Sequence, residues 1–197
     1  INIKKLNIEN ANFFLLRSDF KKMNELSNNQ LAKKKIIINN SNIFFKDNLD
    51  EIITIIKIDK AIFFFDDKKK LNLFNLKGST FGVPFVFDFT IKNDSVIKKK
   101  ANIKVKSLNL NIFNEFIYDH NSLLHGKNII SFPNNVIQTK YNVKEKLITF
   151  TSDDSQFSDS RIDYSGELLI DPFNLDLNIN LGNYKISKLF NINPILI

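Results

Sequence analysis

The segment FGVPFVFDFTI, residues 81–91, predicts a β-strand with one apolar face and one more polar face. The residues of one parity are all apolar: Phe81, Val83, Phe85, Phe87, Phe89 and Ile91. The intervening positions include Asp88 and Thr90. Because successive side chains of a strand point to opposite faces of the sheet, this alternation is typical of a half-buried strand.

The same pattern returns near the C-terminal end of the sequence. Asparagine and aspartate occupy one parity of residues 173–181, and the other parity is apolar: Phe173, Leu175, Leu177, Ile179 and Leu181. Asparagine and aspartate side chains are well solvated, so that parity predicts a solvent face. The apolar stripes must contact something else, which is either another layer of the protein or a bound ligand.

Most of the remaining sequence also predicts strands, joined by short polar turns as in an antiparallel meander. We expect strands at residues 35–46, 51–66, 70–77, 80–92, 100–112, 134–143, 146–152, 160–171, 173–181 and 184–190. A shift of apolar parity near Ser107 predicts a bulge, and the pattern assigns no structure to residues 114–133. One short helix is expected between Ser18 and Ala32, where Phe20, Met23 and Leu26 share one face. No flexible linker interrupts residues 1–197, which we interpret as one continuous unit.

The net charge of +7 arises largely from three lysine triplets, at residues 33–35, 68–70 and 98–100. Each triplet lies between apolar runs, where lysine keeps strands soluble and unpaired. Arginine, which nucleic-acid sites prefer, occurs only at Arg17 and Arg161. We therefore expect no nucleic-acid partner; attraction to anionic lipid headgroups is a lesser alternative.

The sequence offers no recognisable catalytic, metal or nucleotide site. His120 and His125 lack a metal-ligand pattern, and the chain has no cysteine and no glycine-rich phosphate loop. The adjacent pair Asp66–Asp67 and the pair Asp153–Asp154 would point to opposite faces of a strand, which does not make a carboxylate dyad. Asp159, Arg161 and Asp163 share a strand parity and fit an exposed ion cluster. We expect a protein that is not an enzyme and holds no cofactor or metal.

Two architectures would satisfy the apolar stripes. In a β-sandwich the stripes face each other, and the domain serves as a scaffold or interaction module. In a long, twisted sheet that curls into a groove, the stripes line a concave face that could hold an acyl chain. The sequence has no uninterrupted apolar run long enough for a membrane-spanning helix, and its first residue, Ile1, suggests a segment of a longer protein.

Several segments resemble the AsmA-like family of Gram-negative envelope proteins. The resemblance lies in the Leu-x-Gly strand followed by a Gly-x-Pro-Phe strand at residues 76–88, and in the Gly-x-Leu-x-Ile-Asp-Pro-Phe hairpin at residues 166–173. Residues 36–47 and 52–66 are similar to the same family's sheet segments.

This resemblance implies an all-β fold, with a long antiparallel sheet curled into an apolar groove, and a role without catalytic residues. AsmA-like proteins are anchored in the inner membrane, extend through the periplasm, and are implicated in phospholipid transport and outer-membrane assembly. The expected partners are phospholipid acyl chains and adjoining sheet segments of the same parent chain, with the membrane anchor outside this segment. The groove residues would be those of the two stripes, from Phe81 to Ile91 and from Phe173 to Leu181.

Overall fold

The computed structural model describes residues 5–16, 19, 35–47, 49–118 and 124–182. Thirteen strands belong to one sheet. They are β1 (Lys5–Glu9), β2 (Asn12–Leu16), β3 (Lys35–Lys46), β4 (Ile52–Asp66), β5 (Leu71–Thr80), β6 (Val83–Asn93), β7 (Ile97–Val105), β8 (Leu110–Tyr118), β9 (Leu124–Phe132), β10 (Asn135–Lys144), β11 (Leu147–Phe157), β12 (Ser160–Ile170) and β13 (Phe173–Gly182). The all-β prediction is therefore confirmed.

The strand order follows the chain, as expected for a meander. From β4 to β13 each strand pairs antiparallel with the strand before it, while β1 and β2 lie one after the other, parallel to β3. Neither β1 nor β2 pairs with β13, so the sheet is curled but open.

The structure corrects the interpretation of residues 100–133. The predicted strand at 100–112 is two strands, because a turn of 3₁₀ helix at Lys106–Leu108 reverses the chain. Asn109 completes that turn in the left-handed conformation, with φ 47° and ψ 31°. Ser107 therefore lies in a turn and not in a bulge. The unassigned segment contributes β8 and β9. The expected helix falls, apart from Asp19, outside the described residues, as does the strand expected at 184–190.

Cross-strand pairing determines which face of the sheet each side chain occupies. Residues directly opposite each other in neighbouring strands point the same way. The inner face is defined here as the side that carries Phe85, Phe87 and Phe89 together with all residues in register with them; the other side is the outer face. Among the described buried residues all except Ile37 lie on the inner face.

The alternation of faces is interrupted in β3 and in β11, and a buried serine bonds to backbone groups at each of these two places. In β3, Asn40 has a φ of 47° and falls between paired residues, so Ser41 returns to the inner face. The Ser41 hydroxyl accepts the Ala11 N–H at 3.0 Å and donates to the Asn39 carbonyl at 2.8 Å. In β11, the Ser155 hydroxyl accepts the Gln138 N–H at 2.9 Å. Buried backbone groups that lose a ladder partner need such substitutes.

The outer face carries an ion cluster around Glu115 of β8. Its carboxylate lies 3.0 Å from the Lys98 ammonium and 2.9 Å from the Lys100 ammonium, both on β7. Burial by itself would raise the pKa of Glu115, but hydrogen bonds and charge attraction from Lys100 and Lys98 outweigh that effect and lower it below the ordinary value of 4.5. A carboxylate whose pKa is depressed by folding stabilises the folded state above 4.5 and loses that contribution as the pH falls through the folded-state pKa.

Glu115→Gln should therefore lower the midpoint of thermal unfolding at neutral pH by about 1–3 °C, as expected for the loss of partly exposed ion pairs. The difference from the unmodified chain should disappear well below pH 4.5, measured by circular dichroism across a pH series. Asp153→Asn is the control, because its single 3.4 Å pair with Lys140 is highly exposed. A Glu115→Gln deficit that persists in acid would show that the glutamine disturbs packing and not charge.

Candidate functional site

The two apolar stripes predicted from the sequence lie on the same face of the sheet. The alternate residues Val83 to Ile91 occupy the inner face of β6, and successive registers carry that face across to β13. There it presents Phe173, Leu175, Leu177, Ile179 and Leu181. Between the stripes the inner face includes Ile103, Ile112, Ile130 and Ile137. The structure thus joins the predicted residues into one surface that spans the sheet.

The two stripes differ in their solvent exposure. On β6, Ile91 is only 1% exposed and Phe87 packs against Phe74 and Phe89. On β13 the inner-face side chains are 44–76% exposed. β13 makes its contacts with β12, and its apolar side chains are not covered by any described element. Large contiguous exposed apolar surfaces are typical of binding sites.

Phe81 does not belong to this surface. It lies with Gly82 in the two-residue turn between β5 and β6, and its side chain is 83% exposed. Its φ of 49° and the Gly82 φ of 76° place both residues in the left-handed region that such hairpin turns require. A bulky residue rarely adopts this conformation. The sequence pattern missed the turn because Phe81 continues the apolar parity of the strand.

Two aromatic rings lie flat on the inner face because their neighbours are glycines. Tyr141 of β10 crosses Gly126 of β9, and its hydroxyl donates to the Asn114 side-chain oxygen on β8 at 2.8 Å. Burial raises the pKa of Tyr141, so this hydroxyl keeps its proton at neutral pH. Phe150 covers Gly166 of β12 in the same way.

A band of hydrogen-bonding side chains crosses the apolar inner face. Asn114, Asn128, Thr139, Ser152 and Tyr164 occupy consecutive strands from β8 to β12 in one row of the sheet. The Thr139 and Tyr164 hydroxyls are 2.5 Å apart, and the Ser152 and Ser155 hydroxyls are 2.6 Å apart. Only the cross-strand register brings these residues together, so sequence reasoning did not find the band. It places hydrogen-bonding groups within the otherwise apolar inner face.

Strand alternation divides the lysine triplet at residues 98–100. Lys98 and Lys100 point outward to Glu115, whereas Lys99 points to the inner face and is 1% exposed. Its ammonium lies 5.3 Å from the centre of the Tyr118 ring and 6.0 Å from that of Phe116, within the range of cation–π attraction. Burial lowers the pKa of Lys99. The sequence pattern predicts only that this triplet keeps neighbouring strands soluble. It does not predict that Lys99 points to the inner face.

A cavity of about 390 Å³ lies where the inner face meets the turn between β4 and β5. The inner-face residues Phe65, Asn72 and Ile91 line it, together with Lys92 and Asn93 at the end of β6 and the turn residues Lys68, Lys69, Lys70 and Asp94. We call the two turns, residues 67–70 and 94–96, the lysine rim. The volume is within the range of small-molecule sites.

The other polar residues singled out from the sequence do not converge. His125 lies on the outer face of β9, while His120 is outside the described residues. The Arg161 guanidinium pairs with Asp163 at 2.9 Å on the exposed outer face. Within the described part of the chain, no three side chains of the metal-binding types cluster, and no helix is long and apolar enough to span a membrane.

The flat aromatic rings make Gly166 sensitive to substitution. A Cβ at this position would overlap the Asp176 carbonyl oxygen and lie 2.8 Å from the Phe150 ring. Gly166→Ala should therefore lower the unfolding midpoint by about 3–8 °C, as overpacking of about 1–3 kcal/mol implies. Gly182→Ala, where the nearest atom lies 3.8 Å away, is the control and should change the midpoint little. Equal midpoints for the two variants would contradict this close packing.

Comparison of the chain with protein-family models, with curated proteins and with solved structures finds no match.

Proposed function

We propose that this chain is a non-catalytic lipid-binding segment whose curled sheet holds phospholipid acyl chains against its inner face. The observation that carries this proposal is the exposed apolar stripe of β13, continuous through the register with the apolar residues of β6. An acyl chain laid along such a surface gains about 0.8 kcal/mol for each methylene removed from water.

The open sheet supports this role over a closed scaffold module. A β-sandwich needs two facing sheets, whereas the described strands belong to one. In a sandwich the inner-face leucines of β13 would be buried, yet Leu175, Leu177 and Leu181 are each at least 44% exposed. The scaffold function remains the second candidate only if another chain covers this stripe.

The AsmA-like resemblance supplies the cellular setting of the proposal. As in that family, the segment would lie in the periplasm as part of a longer protein anchored in the inner membrane, and it would serve phospholipid transport toward the outer membrane. Adjoining sheet segments of the parent chain would pair with β13, whose ten residues contain no proline, lysine or bulge to prevent pairing. Nucleic acid is not among the proposed partners.

A two-residue substitution on β13 tests the proposal. Leu177→Asp with Ile179→Asp should remove co-purified phospholipid, because two carboxylates would then face the acyl chain. The fold should persist, since these side chains are 44% and 57% exposed. The measurement is lipid mass spectrometry of gently purified protein, with circular dichroism as the test of folding.

The matched control places the same charges on the opposite face of the same strand. Asn178→Asp with Asn180→Asp changes the outer face, so its lipid content should equal that of the unmodified chain. Folded protein without lipid before any substitution would sink the proposal. Equal lipid content in both double variants would show that lipid binds elsewhere.

A further inference from the structure

We propose that the cavity at the lysine rim binds a phosphate ester group, placing the headgroup of an anionic amphiphile beside the apolar inner face. This inference rests on the proposed function for the acyl chain and adds a site for the charged end of the same molecule. A free phosphate ester has the same charge chemistry, so the experiment below includes one without an acyl chain.

The charge of the cavity lining favours an anion. Four lysines line it, at positions 68, 69, 70 and 92, against the single carboxylate of Asp94. Asp94 lies 3.3 Å from the Lys92 ammonium, which leaves the three turn lysines as the excess. Clustered lysines attract anionic lipid headgroups electrostatically.

The shape of the turn groups these three lysines. The Asp66 carboxylate accepts the backbone N–H groups of Lys68 and Lys69 at 3.0 and 3.1 Å. Lys70 then adopts a φ of 52°, which returns the chain into β5. The Asp66 carboxylate therefore bonds to the backbone of the turn. The side chains of Lys68, Lys69 and Lys70 all extend from this one turn, residues 67–70.

The floor of the cavity connects this charge to the groove. Phe65 and Ile91 are 8% and 1% exposed and belong to the inner face. Ile91 is the last residue of the β6 stripe, and its cross-strand partner is the inward lysine, Lys99. An acyl chain on the β6 stripe would therefore end beside the lysines of the rim.

The strand ends opposite the lysine rim carry acidic and apolar side chains. The connection between β3 and β4 carries Asp47, Asp50 and Glu51, and the turns beyond expose Phe81 and Leu108. Carboxylates repel a phosphate, so an anionic amphiphile on the inner face has a preferred orientation, with its charged group at the lysine rim.

The test measures, by isothermal titration of the delipidated chain of residues 1–197, the affinity for ligands that differ in net charge and in the presence of an acyl chain. The probes are lauroyl lysophosphatidylglycerol, the zwitterionic lauroyl lysophosphatidylcholine, and glycerophosphate, which has no acyl chain. The test variant is K68Q/K69Q/K70Q. Its control is K140Q/K144Q/K146Q, which removes the same charge from exposed positions on β10 and the following turn.

We expect K68Q/K69Q/K70Q to bind the lysophosphatidylglycerol about 10–100-fold more weakly, with unchanged affinity for the lysophosphatidylcholine. The control variant should match the unmodified chain for both. Equal weakening in the two variants would overturn the site, because net charge alone would then explain it. Unchanged affinity in K68Q/K69Q/K70Q would overturn the site while leaving the acyl groove in place.

Two further outcomes separate this site from the proposed function. If neither lysolipid binds but glycerophosphate binds and is lost in K68Q/K69Q/K70Q, the phosphate site stands with a free ester as its ligand, and the acyl groove fails. If none of the three probes binds the unmodified chain, both proposals fail. Circular dichroism of each variant confirms that it is folded.

Discussion

The structure depends on an in-register antiparallel pairing that is maintained from β3 to β13. Each residue directly opposite another shares its face, so the choice of apolar parity in β6 is transmitted strand by strand to β13. A slip of one residue in any pair would turn every later apolar side chain outward. The apolar inner face, the polar band and the inward Lys99 are all products of this single constraint.

The bulges show how the sheet preserves this pairing where the sequence does not alternate strictly. Asn40 and Asp59 fall between paired residues of β3 and β4, and Ser41 and Ile58 thereby remain on the inner face. The buried hydroxyls of Ser41 and Ser155 bond to backbone groups at the two bulges. Their burial reflects this structural task and does not indicate a nucleophile.

The sequence predicted the strands and the two stripes because period-two alternation is a local signal. The turn at Ser107 was mistaken for a bulge, since both change parity and only the chain reversal distinguishes them. The turn at Phe81 was missed because an apolar residue there continues the strand pattern. The polar band, the split of Lys98 from Lys99 and the cavity at Lys68–Lys70 depend on which strands are neighbours. Spacing along the chain does not contain that information.

The neighbour-only topology also bears on how the protein unfolds. Contacts in the described sheet join each strand almost entirely to the strands beside it, and the buried apolar cluster of Ile38, Ile58, Ala61 and Leu76 lies toward one end. Such an array resembles a repeat protein, whose stability is a sum of local and nearest-neighbour contributions. Amide exchange should therefore form a gradient, fastest at β13 and slowest around β4 and β5, so that β13 opens locally more often than the strands around the buried cluster.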